Sequence, residues 1–523
     1  MTSQPLSLLE PPPVGALPAQ AAPDAEPRGQ ARAGLALSVA TFAMAAASAI
    51  QAVLYLSLFG TNEQTDGFFV AFALYATFGV FSQSLRLTAV PLLVEPGARI
   101  TARQFAAALA LIAAPILLFA GPLAGLSADI LAPGLSPAGR SVTESALPIL
   151  GIATVLQLWT AGCATLLAIR GRFGTIATGY ILGAAGGLIT FIAVESFADE
   201  LTLGWSMLAM SILAFGSMSM GLRASGGFGQ AKRGSLAPSG LVRTTGLLLS
   251  ETIVYLAFNG LFVITMAVVS KSDAGDTTVL SYSYLFASYL VAGTGMALGM
   301  SRISEMTRAA RSEARALVAA SVPQGFRYAM LVVAPALAAL IAAGAPLIHE
   351  VLPGSLDAAG VHALRQFTAL LVAWTVAALL VNLLLPALFA LGRGRLVNIL
   401  AIPLVVLHVV ATIVGGHMFG APGAVAAFCI APILFALIAL LTAMGPEVAG
   451  STGRELALDA LRFLGLAAVA YGVADGLGAA LTDGIAQSAF ALIVGTALYG
   501  GGLLIVARQQ VGVVAGALRP ATT

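Results

Sequence analysis

Charge is what this sequence has least of. Only 9% of its 523 residues are Asp, Glu, Lys or Arg, against about 25% in a soluble domain. With 59% hydrophobic residues and a mean hydropathy of +0.96, the chain cannot cover a water-facing surface with polar groups. That excludes a soluble globular protein and leaves a polytopic membrane protein. Cysteine is nearly absent. Cys163 and Cys429 both lie in apolar runs, so neither a disulfide framework nor a metal site follows. The four histidines, His349, His362, His408 and His417, are scattered without ligand spacing. No cofactor and no nucleic-acid partner is expected. No sizeable loop on the expected outer side clusters acids, histidines or arginines to hold a donor sugar, which argues against a membrane glycosyltransferase and against an enzyme in general.

What is present is apolar length. A helix needs roughly 20 apolar residues to cross a bilayer core. On that rule there are fourteen spans, near 34–59, 67–94, 104–124, 146–169, 173–194, 201–222, 245–269, 278–301, 325–346, 366–391, 396–415, 421–444, 459–480 and 485–507. Residues 1–32 are rich in Pro and Ala and aperiodic, which reads as a disordered cytosolic tail. They are not read as a signal peptide, because the apolar run that begins near Ala33 is too long for one. With the N-terminus inside, 21 of the 25 Lys and Arg fall on cytosolic segments, while Glu63, Asp66, Asp129, Glu144, Glu195, Asp199, Glu200, Asp273 and Asp276 gather on outer loops. The asymmetry places both termini in the cytosol and the protein in the cytoplasmic membrane.

The first six spans resemble the next six. Asp66 and Glu95 bracket the second span, and Asp276 and Glu305 bracket the eighth, each pair offset by 210 residues. Leu111-Ile-Ala-Ala-Pro115 recurs as Leu331-Val-Val-Ala-Pro335, and Pro133-Gly134 recurs as Pro353-Gly354. Arg170-Gly171-Arg172 recurs as Arg393-Gly394-Arg395. Six is even, so both copies insert the same way round and a cleft runs between them. The expected fold is an all-α polytopic membrane protein of about fourteen transmembrane helices: two six-helix lobes related by a parallel repeat, plus two C-terminal helices. The expected divisions are a tail at 1–32, lobes at 33–223 and 245–444, a cytosolic linker at 224–244, and the two additional helices with a short tail at 445–523.

Ionisable and polar residues inside spans are costly and mark cavities by default. Arg86 lies about eight residues, roughly 12 Å, from the cytosolic end of its helix. It suits a phosphate, an inter-lobe pair or snorkelling to the interface. Glu251 suits a pair with Arg86, a proton-coupling role, or simple favour from the helix dipole. Gln51, Gln83 and Asn259 are candidates to line the cleft, or singly to make interhelical hydrogen bonds. Asp66 and Asp276 are gating candidates, with helix capping as the plain alternative for Asp66.

Thr65-Asp66-Gly67-Phe68-Phe69-Val70-Ala71-Phe72, Phe81-Ser82-Gln83, Ala89-Val90-Pro91-Leu92-Leu93, Leu131-Ala132-Pro133-Gly134 and Ala168-Ile169-Arg170-Gly171-Arg172-Phe173 together resemble the MurJ/MviN-type lipid II flippases of the multidrug/oligosaccharidyl-lipid/polysaccharide exporter superfamily. The resemblance covers roughly 34–444 and is most specific in the first half. It implies a two-lobed, fourteen-helix flippase that moves a lipid-linked oligosaccharide or similar amphipathic lipid precursor in cell-envelope polysaccharide or peptidoglycan synthesis. It also implies a groove at the last two helices for the lipid tail. The chain departs from the family at its charges. Family arginines of the first helix match Ala45 and Gln51, an arginine pair of the second helix falls near Thr77 and Phe78, and an acidic sodium ligand of the seventh falls nearest Thr265. Two alternatives stay open: a multidrug or small-solute antiporter on the same scaffold, and a non-transporting scaffold for an envelope-synthesis complex. The expected partners are the lipid-linked substrate and bilayer lipids, and the sequence is compatible with a monomer.

Overall fold

The computed structural model describes residues 50–94, 100–227, 237–296, 311–351 and 355–506, with Met44, Ala47 and Ser48 ahead of them. The expected tail at 1–32, and Glu95 and Glu305 of the repeat, lie outside the described residues. Among the described residues every regular element is helical, as a lipid environment requires of backbone that must satisfy its own hydrogen bonds.

The chain runs through α1 (Ile50–Phe59), α2 (Glu63–Val94), α3 (Ala102–Ala120), the short α4 (Ala124–Leu131), α5 (Pro137–Ile169), α6 (Phe173–Val194) and α7 (Thr202–Ala224). It continues through α8 (Pro238–Val269), α9 (Asp276–Val291), α10 (Arg311–Ala339), the short α11 (Ala345–Val351), α12 (Ala358–Ala390), α13 (Gly394–Phe428), α14 (Ile430–Met444), α15 (Pro446–Leu481) and α16 (Ile485–Val506). Among the described residues eleven segments are long and apolar enough to cross a membrane. One of them, Leu396–Met444, has 49 residues and turns back on itself at Gly420 (φ 65°, ψ −154°). There the backbone of Gly415 meets that of Gly423 so closely that a Cβ on Gly415 would lie 2.5 Å from the Gly423 carbonyl oxygen. Counting that hairpin as two spans, and adding α1 and α9, gives the expected fourteen.

Several helices start earlier than hydropathy predicts. α5 begins nine residues ahead of 146, and α12 eight ahead of 366. A hydropathy window sees only apolar stretch, whereas the helix continues until it meets a cap. Ser136 accepts from the Gly139 N–H at 3.2 Å, and Asp357 from the Gly360 N–H at 2.7 Å, satisfying donors that a helix start leaves open.

The two copies also break at matching places. The third span stops at Gly121 and restarts as α4. Its counterpart carries a π-helix at Leu340–Gly344 before α11. The repeated Arg-Gly-Arg motif matches in a different register from the string. Gly171 (φ 69°) corresponds to Gly392 (φ 70°). The Arg172 N–H donates to Leu167 O and the Arg393 N–H to Leu388 O, both at 2.9 Å. The left-handed glycine fixes this helix-ending turn, so Arg172 pairs with Arg393, two residues from the textual match.

α2, α3, α5, α6 and α7 pack on one another, and α8, α9, α10, α12, α13 and α14 form a second group. α15 and α16 pack together against α10, α11 and α14. Arg327 of α10 holds α15, with Nε 2.6 Å from Asp459 Oδ2 and Nη2 against Glu455. The groups meet where α2 lies against α8 and α9, and α3 against α8. One end of the molecule, the acidic face, carries the α1–α2, α4–α5 and α8–α9 connections. The other, the basic face, carries Arg103, Arg170, Arg172, Arg223 and Arg393.

Candidate functional site: the seam between the lobes

At the acidic face the seam is held by the motif Thr65-Asp66-Gly67-Phe68-Phe69. Gly67 lets α2 touch α5. A Cβ there would lie 2.0 Å from Gly139 O, and Thr143 Oγ1 donates to Gly67 O at 2.8 Å. Asp66 thus stands on a rigid base. Its carboxylate crosses to the other lobe and caps α9: Oδ2 accepts from the Gly275 N–H at 2.7 Å, and Oδ1 from the Thr278 N–H at 2.8 Å and from Thr278 Oγ1 at 2.7 Å. Thr278 Oγ1 also lies 3.1 Å from Thr65 Oγ1. The α9 start has no side-chain cap of its own, and Gly275 is left-handed (φ 93°), a shape that suits glycine. Asp66 is 4% exposed, so its charge is compensated by these donors and the positive end of the helix dipole.

Aromatic contacts continue the seam inward. Phe69 packs edge-on against Tyr282 with ring centroids 5.0 Å apart, and the Tyr282 hydroxyl donates to Ala52 O at 2.8 Å. Deeper in, Thr77 Oγ1 donates to Asn259 O, and the Tyr284 hydroxyl to Asn259 Oδ1, both at 3.3 Å. A second cross-lobe contact at the acidic face uses the Pro133-Gly134 motif. A Cβ on Gly134 would lie 2.5 Å from Ser270 O.

The residues singled out from the sequence separate accordingly. Asp66 and Asp276 share one corner of the seam. Asp276 starts α9, ahead of the apolar span, and burial, with Asp273 and Asp66 beside it, pushes its carboxyl up to about 6. Asn259 faces α2. Gln51 turns toward α6 of the first lobe, where a Cβ on Gly187 would lie 3.1 Å from its Nε2, and both amide atoms are buried with no hydrogen-bond partner among the described residues. The side chains of Gln83, Arg86 and Glu251 lie outside the described residues, so the seam toward the basic face is described only by its apolar packing, Leu85 and Ala89 of α2 with Leu248 of α8. Thr265, nearest the implied sodium ligand, donates to Leu261 O at 2.9 Å and lies 3.2 Å from His408 Nε2. A cavity of about 10 Å³ between α8, α13 and α14 has wholly apolar walls, Phe258 and Phe435 among them.

Sequence reasoning missed two sets of residues. Gly275 and Thr278, the partners of Asp66, could be found only across the fold. His408 was legible by a rule that was applied to arginine and glutamate alone: an ionisable side chain inside a span.

A lipid II flippase MurJ in an inward closed conformation superposes with a TM-score of 0.71 over 91% of this chain and 99% of its own, at 16% identity. The fold is that of the MOP-superfamily exporters. An inward-facing multidrug resistance MATE family transporter of the superfamily gives 0.59 at 12% identity, covering 78% of this chain and 96% of its own. An outward-facing MATE transporter gives 0.56 at 14% identity, covering 82% and 96%. No protein-family profile and no curated protein sequence matches the chain. Among the described residues the seam is packed shut at the acidic face.

Proposed function

We propose that the chain is an exporter that moves a lipid-linked oligosaccharide or similar amphipathic lipid precursor across the cytoplasmic membrane by rocking its two lobes, with the acidic face outward and both termini in the cytosol. The observation that carries this reading is the α15–α16 pair. The pair packs on α10, α11 and α14, and it presents Leu461, Val469, Leu481 and Ile493 outward. An apolar flank of that kind suits a long acyl chain better than a compact drug. The trans-cap supports rocking, because a helix start satisfied by the opposite lobe loses its partner when that face opens.

The test is mass spectrometry of lipid co-purified with the protein, together with flipping in reconstituted vesicles. A sugar pyrophosphate lipid and transport reduced at least tenfold by Arg86→Ala are expected. Bare phospholipid with unchanged transport would overturn the substrate class. The second reading, a non-transporting scaffold, draws on the dry packing of the described seam. It predicts no flipping by wild type at all.

A further inference from the structure

His408 sits fourteen residues after Gly394 and twelve before the Gly420 break, roughly 20 Å from either end of its span at 1.5 Å per residue. The ring is completely buried. Its Nε2 lies 2.9 Å from Leu261 O. A carbonyl only accepts, so Nε2 carries the hydrogen and the neutral ring leaves Nδ1 as a bare lone pair. That lone pair is buried with no donor among the described residues. Thr265 and Thr412 both approach the Nε2 side instead, at 3.2 and 3.4 Å. A buried acceptor without a donor is costly and rare, and a proton is the smallest group that fills it. The chemistry does not suit a metal ion, since no group of three or more His, Cys, Asp or Glu exists among the described residues.

We propose that His408 is a proton-binding site at mid-membrane, and that its occupancy sets how α8 packs and thereby whether the seam is closed. The proton adds to the Nδ1 lone pair, and the charged ring exchanges its dry contact with Leu261 O for a wetter place. The surroundings are apolar. Phe428 packs edge-on at 5.7 Å, and the titratable groups nearby are Tyr284, stacked on Phe262 and against Phe428, and Cys429, whose Sγ donates to Leu370 O. Of the charged residues on the packing helices, Arg243 and Glu251 on α8, Arg365 on α12 and Arg393 and Arg395 at the start of α13 all lie well along their helices from this level. An imidazolium here would have no counter-charge, so the dry arrangement selects the neutral ring and a wetter one selects the charged ring. α8 is shared by both places. Leu261 holds His408, and Asn259, two residues earlier, receives Thr77 from the opposite lobe. Proton uptake therefore moves α8 off α13 and loosens the seam.

This rests on the rocking reading but needs no substrate to test. Spin labels at Gln64→Cys and Ser272→Cys, on opposite sides of the acidic seam, are placed in full-length protein carrying Cys163→Ala and Cys429→Ala, in nanodiscs. The long-distance population is expected to rise at least fivefold from pH 8 to pH 5, and less than twofold with His408→Gln. Asp276→Asn, which removes the carboxyl that burial pushes up to about 6 at the same corner, should leave the response in place. Labels that move with pH equally in wild type and His408→Gln overturn the site and leave rocking intact. Labels that hold one distance at every pH and with added lipid substrate overturn rocking and the site with it. Independently of any variant, ring ¹⁵N spectra of the wild type should show a histidine that is Nε2–H at pH 8 and gains its second proton on acidification. A buried ring that stays neutral to pH 4 overturns the proposal.

Discussion

α2 and α9 occupy the same place in the two copies, and both begin at the acidic face, yet their first turns are satisfied in opposite ways. α2 is capped from within its own strand of chain: Asn62 Oδ1 accepts from the Gln64 and Thr65 N–H groups at 2.9 and 3.0 Å, and Thr65 Oγ1 accepts in return from the Asn62 N–H at 2.9 Å. α9 has no such box. Its cap is Asp66, an acid that belongs to the other lobe. The aspartate at the repeat-related place in the second copy, Asp276, caps no helix of the first among the described residues; it takes a backbone hydrogen bond from Asp273 and has Asp66 as a repulsive neighbour. Duplication gave the molecule two similar helix starts. The difference between them shows where one copy has become dependent on the other.

The sharpest way to break that comparison is Asp66→Ala. It removes a buried carboxylate and strands the Gly275 and Thr278 N–H groups, so closure of the acidic face should lose roughly 3 kcal/mol, read as a shift of the Gln64–Ser272 label distance to the open population at pH 8. Gly67→Ala should come next, at about 2 kcal/mol, but as a loss of thermal stability, because the new methyl wedges α2 from α5 inside one lobe. Asn62→Ala should cost about 1 kcal/mol in unfolding with the label distance unchanged, which separates a cis cap from a trans one. Smallest is Asp276→Asn. Relieving a partly exposed repulsion should favour closure by about 0.5 kcal/mol at most at pH 8, and by nothing measurable at pH 5, where the native carboxyl is itself largely protonated.

The span count and the repeat were legible because lipid imposes an apolar length and leaves positive charge on one face. Asp66 was legible as important but its partner was not. Local pattern offered its own helix as the thing to cap, and the structure gives it the helix more than 200 residues on. The Arg-Gly-Arg string pointed to the right turn and the wrong register, since backbone handedness at Gly171 and Gly392 decides the match and letters do not. Early helix starts such as Pro137 and Pro238 escaped because hydropathy reports the hydrocarbon layer rather than the helix. Gln51 was marked only by being polar inside a span, which does not say which side of α1 it lies on; its amide nitrogen comes close to Gly187 of α6.

The composition of the Asp66 contact has one more consequence. It is a carboxylate held by neutral N–H and O–H groups in a nearly dry corner, with no cation in it for dissolved salt to compete against. Exposed ion pairs such as Arg140 with Asp129 and Glu144 weaken as the Debye length shrinks. The contact at Asp66 does not share that weakness, so the acidic face stays shut alike in dilute and in salty surroundings.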